Sequence, residues 1–118
     1  METAKETCTV KTPWVKNLGD VPAHLEYPEW SMCEGVEKIA EKYPNLSAYV
    51  FMGRKTSYRA LVQEIHLCAR ALKSIGVRAG DKITIAMPNC PQAVIMFYAV
   101  NMVGAIANMI HPLSSEKE

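Results

Sequence analysis

Between Ile83 and Ser115 no side chain carries a fixed charge, and over all 118 residues 13 basic groups nearly balance 12 acidic ones. That balance removes any electrostatic reason to expect nucleic acid or an anionic lipid surface as a partner. The four cysteines, at 8, 33, 68 and 90, include no pair at metal-ligand spacing. The nearest Cys–His pair, His66 and Cys68, sits two apart on an expected helix and points in different directions. Neither a metal site nor a disulfide framework is therefore expected, and free thiols fit a cytoplasmic chain. The opening Met1-Glu2-Thr3-Ala4-Lys5-Glu6 is polar and no apolar run follows before residue 30, which argues against a secretory signal. Also missing are the G-x-G-x-x-G of dinucleotide sites, the G-x-x-x-x-G-K-[ST] phosphate loop and the G-x-S-x-G nucleophile elbow. No two carboxylates are placed for acid–base work, and His24, His66 and His111 lie far apart.

What is present is a scaffold. Residues 1–30 read as an irregular lead-in, broken by Pro13, Pro22 and Pro28, with Trp14, Leu18, Leu25, Tyr27 and Trp30 too apolar for a free tail. Ser31-Met32-Cys33-Glu34 fits a capping box, and Met32, Val36, Ile39, Ala40 and Tyr43 recur at helical spacing, which predicts a helix over about 31–43. A hairpin is expected over about 48–57, with Gly53-Arg54 as a two-residue type II′ turn. Ser57 caps the next helix, about 58–75, whose apolar stripe runs Tyr58, Leu61, Val62, Ile65, Cys68, Ala69, Leu72 and Ile75. Gly76 followed by Val77 predicts a Schellman ending.

The charge-free run poses a choice between a membrane span and a buried layer of a water-soluble fold. A span needs about 20 consecutive apolar residues. Here Pro88, Asn89 and Pro91 interrupt the run, Asn101, Gly104 and Asn108 lie within it, and no Lys/Arg cluster or aromatic belt flanks it. A parallel βαβ unit accounts for each interruption: strands at about 82–87 and 105–110, with a helix at about 92–103 capped by Asn89. Strands and helices covered on both sides read as unbroken apolar runs. The expected class is therefore α/β with no transmembrane span. Ligands of open α/β sheets bind beyond the carboxyl ends of the strands, so Asn89 and His111 are the candidate ligand-side residues. Each also has a plainer reading, Asn89 as a helix cap and His111 as a hydrogen-bonded loop residue.

Three segments, taken in order, are similar to the start of the AMP-forming acyl-CoA synthetases, the adenylate-forming ligase superfamily. Thr56-Ser57-Tyr58-Arg59-Ala60-Leu61 resembles its [ST]-Y-x-E-L helix start, and Gly76-Val77-Arg78-Ala79-Gly80-Asp81-Lys82-Ile83 resembles G-V-x-x-G-D-x-V. Met87-Pro88-Asn89 through Gly104-Ala105 to His111-Pro112-Leu113 resembles L-P-N-x-P, G-A and N-P-L, with Ala60 and His111 departing from the family's glutamate and asparagine. The resemblance implies that residues 31–118 are the first part of the large N-terminal α/β domain, ending before the phosphate-binding loop. It implies ATP, Mg2+ and CoA as requirements of the whole enzyme, none bound by this stretch, and a small-molecule carboxylic acid, fatty or other, as substrate. The family's phosphate loop, aromatic-Thr-Glu motif, ribose-binding Asp and C-terminal Lys match no position here, so no catalytic residue is expected. Such a piece is expected to be inactive alone and to self-associate. The alternative is a stand-alone α/β binding or assembly module.

Overall fold

The computed structural model describes residues 13–22 and 24–113. Cys8, the polar opening stretch and Ser114-Ser115 lie outside the described residues. Helix α1 (Met32–Lys42) opens on the expected capping box. Ser31 Oγ accepts from the Glu34 N–H at 3.1 Å, and Glu34 Oε2 accepts from the Ser31 N–H at 2.7 Å. These bonds from Ser31 hold the Glu34 carboxyl below the usual carboxylate range.

The buried face of α1 shares only Val36 and Ala40 with the apolar spacing in the sequence. Cys33 is buried and Val36, Glu37 and Ala40 are half-buried, whereas Met32, Ile39 and Tyr43 are exposed. The helix is turned by the contacts it makes. Asn101 Oδ1 accepts from the Cys33 N–H at 3.3 Å, and Glu37 Oε1 meets His66 Nε2 at 2.8 Å. An N–H of the first turn, which has no partner within the helix, is thus satisfied from across the fold.

Strands β1 (Ser47–Phe51) and β2 (Arg54–Ser57) form the expected antiparallel hairpin, with a register irregularity between Ser47 and Tyr49. Its turn is Met52-Gly53 rather than Gly53-Arg54, because Phe51 pairs with Arg54. Both turn residues have positive φ, 48° and 79°, the signature of a type I′ turn whose twist suits the flanking strands. Met52 tolerates the left-handed conformation with its side chain wholly in solvent.

Helix α2 (Tyr58–Ser74) begins with Ser57 Oγ accepting from the Ala60 N–H at 3.3 Å. It ends in the predicted Schellman motif, with Val77 N–H bonded to Leu72 O and Gly76 N–H to Lys73 O, both at 3.1 Å. Ile75, expected on the stripe, is the C-cap and 77 % exposed. Strand β3 (Lys82–Ala86), helix α3 (Pro91–Val103) and strand β4 (Ile106–Ile110) form the βαβ unit, with β3 and β4 parallel and Lys82 opposite Ile106. Among the described residues no helix is long and apolar enough to cross a membrane.

Two clusters make the core, and α2 contributes to both. One gathers Ala69, Leu72, Ile85, Ala99, Val100 and Val103 where α2, β3 and α3 meet. The other joins Cys33 to Leu61 and Ile65, and Met102 packs against both. The expected lead-in carries a 3₁₀ turn at Pro13–Asn17, and Trp14, Leu25, Tyr27 and Trp30 remain exposed on it. Trp30 is fixed to α1 through Lys38, whose Nζ stands 4.4 Å from the ring centroid.

Candidate functional site

The parallel register, with Ala86 opposite Ile110, sends the loops after β3 and β4 out of the same end of the sheet. Asn89 is exposed there but does not cap α3. The N-cap is Cys90, extended at φ −140° and ψ 161°, with no side-chain cap bond. Pro91 accounts for this: a proline at the first helical position forces the residue before it into extended backbone, so that residue becomes the cap. Asn89 is thereby moved one residue out and stands on the rim of a groove.

That groove, about 490 Å³, runs between the hairpin and α3. Tyr49, Val50 and Phe51 of β1 form one wall, and Val94, Phe97 and Tyr98 of α3 the other. Met109 of β4 closes it beneath, and Asn89 with Cys90 lies at its end. No charged side chain lines it. A second groove, about 580 Å³, lies across Tyr49, Phe51 and Pro91, which line both, and is edged by Arg54, Lys55 and Glu64. His111 lines neither groove. Its ring folds over its own loop, Nδ1 accepting from the Leu113 N–H at 3.2 Å. The structure therefore places one of the two predicted residues at a cavity and gives the other a local hydrogen bond.

The hairpin wall was missed by reasoning from strand ends alone. The only signal in the sequence was an α3 with no polar face, which must find cover on more sides than one sheet and one helix provide. Two of the thiols are held in the protonated form. Burial, with Glu37 and Glu34 nearby, pushes the Cys33 thiol up to about 11, and burial also raises that of Cys68. Cys90 is half-buried and lines the groove. Among the described residues no group of three His, Cys, Asp or Glu side chains could hold a metal ion.

The model of the AMP-binding enzyme family matches residues 36–118. The chain belongs to the AMP-binding enzyme family. Among curated relatives, the long-chain-fatty-acid–CoA ligase of Bacillus subtilis is 30 % identical over 107 residues, covering 90 % of this chain and 19 % of that protein. The acetyl-coenzyme A synthetase 1 of Candida albicans is 27 % identical over 99 residues, covering 78 % and 15 %. The chain thus spans less than a fifth of the length of these relatives, 19 % and 15 %. Among solved structures, a fatty acyl CoA synthetase of Mycobacterium tuberculosis superposes with a TM-score of 0.69 at 25 % identity, over 72 % of this chain and 17 % of that one. The N-terminal subdomain of Klebsiella oxytoca NpsA superposes at 0.71 with 24 % identity, over 74 % and 23 %, and supports the fold. Family membership and the α/β layout with its parallel strand pair agree with the family resemblance carried by the sequence motifs.

Proposed function

We propose that residues 31–118 are the opening part of the large N-terminal domain of an AMP-forming acyl-CoA synthetase, with residues 1–30 as its lead-in. The observation that carries this reading is the family match over residues 36–118, beginning inside α1 and running through the whole βαβ unit. The parent reaction joins a carboxylate to the α-phosphorus of ATP with loss of pyrophosphate. The thiol of CoA then takes the acyl group and releases AMP. Mg2+ has no ligand set among the described residues, so no step is assigned to it here. ATP and CoA are substrates of the parent enzyme, and no catalytic group is assigned to this chain.

Its role is architectural. It supplies two parallel strands, and Asn89 and His111 are offered from their carboxyl ends as ligand-side loop residues. The parent works in the cytoplasm on a small-molecule carboxylic acid, fatty or other, with no nucleic acid involved. The chain by itself is inert and self-associates through the open sheet face, where Ile106 and Ile110 stand 52 % and 43 % exposed. Carboxylate-dependent ATP–pyrophosphate exchange tests the first point: the purified 118 residues should show none above a heat-killed control. Measurable exchange would overturn the reading. Sedimentation tests the second, with species larger than one chain expected at high concentration. A strictly monomeric boundary would favour the stand-alone binding module.

A further inference from the structure

We propose that α1 is a latch: it swings off α2 and α3 as one unit about Tyr43-Pro44, before the rest of the chain unfolds, and uncovers Leu61 and Ile65. Three observations carry this. Helix α1 buries a single residue, Cys33, where α2 and α3 bury four each. Gly35 inside it weakens the helix itself. Among the described residues, two side-chain bonds reach α1 from other elements. One is Asn101 Oδ1 accepting from the Cys33 N–H at 3.3 Å. The other is Glu37 with His66 at 2.8 Å, a pair whose side chains are 33 % and 48 % exposed and therefore screened by water.

The chain on either side of α1 fixes how it moves. Ahead of it, Tyr27 and Trp30 are exposed, and Trp30 lies under Lys38 of α1 itself, so this part of the lead-in travels with the helix. Behind it the chain is pinned to the start of α2: Pro44 O accepts from the Arg59 N–H at 3.1 Å and Leu46 O from the Tyr58 N–H at 3.0 Å. Tyr43, the C-cap at φ −133° and ψ 58°, is thus the last free joint before the hairpin. With α1 away, the first core cluster keeps all its members, since none of its buried residues belongs to α1. Opening breaks the second cluster alone, and a unit of this kind opens below the free energy of global unfolding. The latch rests on contacts inside the chain and is independent of the ligase reading.

Hydrogen exchange of the 118-residue chain, read by peptide mass spectrometry at low protein concentration, tests it. Amides of α1 are expected to exchange at least about tenfold faster than those of residues 65–72, with a shallower urea dependence because less surface is exposed. Asn101→Ala should speed exchange in α1 about fivefold, the worth of one hydrogen bond. Asn101→Asp keeps an accepting oxygen and should leave α1 within about twofold of the parent protein. Ile85→Val, in the first cluster, should speed exchange in residues 65–72 about fivefold and leave α1 unchanged, because the open form retains that cluster. The proposal is overturned if Ile85→Val speeds both helices alike, which would make them one cooperative unit. It also fails if α1 exchanges with no dependence on urea, as simple fraying does, or if Asn101→Asp acts like Asn101→Ala.

Discussion

Helices α2 and α3 lie against each other and end in the same way, yet they follow opposite sequence rules. In each, a left-handed glycine, Gly76 or Gly104, lets the next N–H reach back to the carbonyl five residues earlier, Leu72 or Val100. Helix α2 is finished on both sides. It buries Leu61, Ile65, Ala69 and Leu72 and turns Arg59, Gln63, Glu64, Arg70 and Lys73 to water. Helix α3 has no charged residue anywhere, buries Ala93, Ala99, Val100 and Val103, and leaves Val94 at the surface of the groove. The difference separates a helix whose surroundings are complete within the chain from one whose outer side asks for further cover.

The largest effect that tests this contrast is a pair of truncations. Ile65→Ala, at a residue only 1 % exposed, should lower unfolding free energy by about 2–5 kcal/mol in urea titrations, whereas Val94→Ala should stay within about 0.5 kcal/mol. Equal losses would mean that α3 is as fully packed as α2. The two helix ends should also differ. At Gly76 an added Cβ meets open space, so Gly76→Ala carries only the left-handed backbone strain, about 1 kcal/mol. At Gly104 the same atom would come 3.2 Å from the Ala79 Cβ, and Gly104→Ala should cost about 2 kcal/mol by the same titration.

The second core cluster should show a dependence on pH that comes from Cys33. Cys33 has its thiol raised from 9.0 to about 11 in the fold, so the folded state holds that proton more tightly than the unfolded chain. The stability it contributes is complete below pH 9 and declines as pH rises toward 11. Urea midpoints across this window should fall more steeply for the parent protein than for Cys33→Ala. A smaller gain is expected at the hairpin. Met52→Asn, which accepts positive φ more readily beside Gly53, should stabilise the chain by about 0.5–1 kcal/mol in a thermal melt.

Local chemistry explains which parts of this structure were readable in the chain. The Ser31–Glu34 box, the Ser57 cap, the Gly76-Val77 ending and the α2 stripe each depend on residues within one or two turns. The βαβ unit was legible because prolines, asparagines and a glycine punctuate an otherwise uniform run. Features set by distant contacts were not. The face of α1 is turned by Asn101 and His66, both far along the chain. The hairpin turn falls one residue early because pairing of Phe51 with Arg54 outweighs the strain at Met52. At the candidate site, the end of β3 points to the loop that carries Asn89, but the hairpin wall opposite α3 exists only in three dimensions.

The bond from Asn101 to the Cys33 N–H joins residues 68 positions apart. During synthesis at about 5–20 residues per second, the first helix must wait roughly 3–14 s for the side chain that seats its opening turn. Helix α1 can therefore dock on α2 through Leu61, Ile65 and His66 well before Asn101 arrives to satisfy its opening turn, so its seating is completed in two steps.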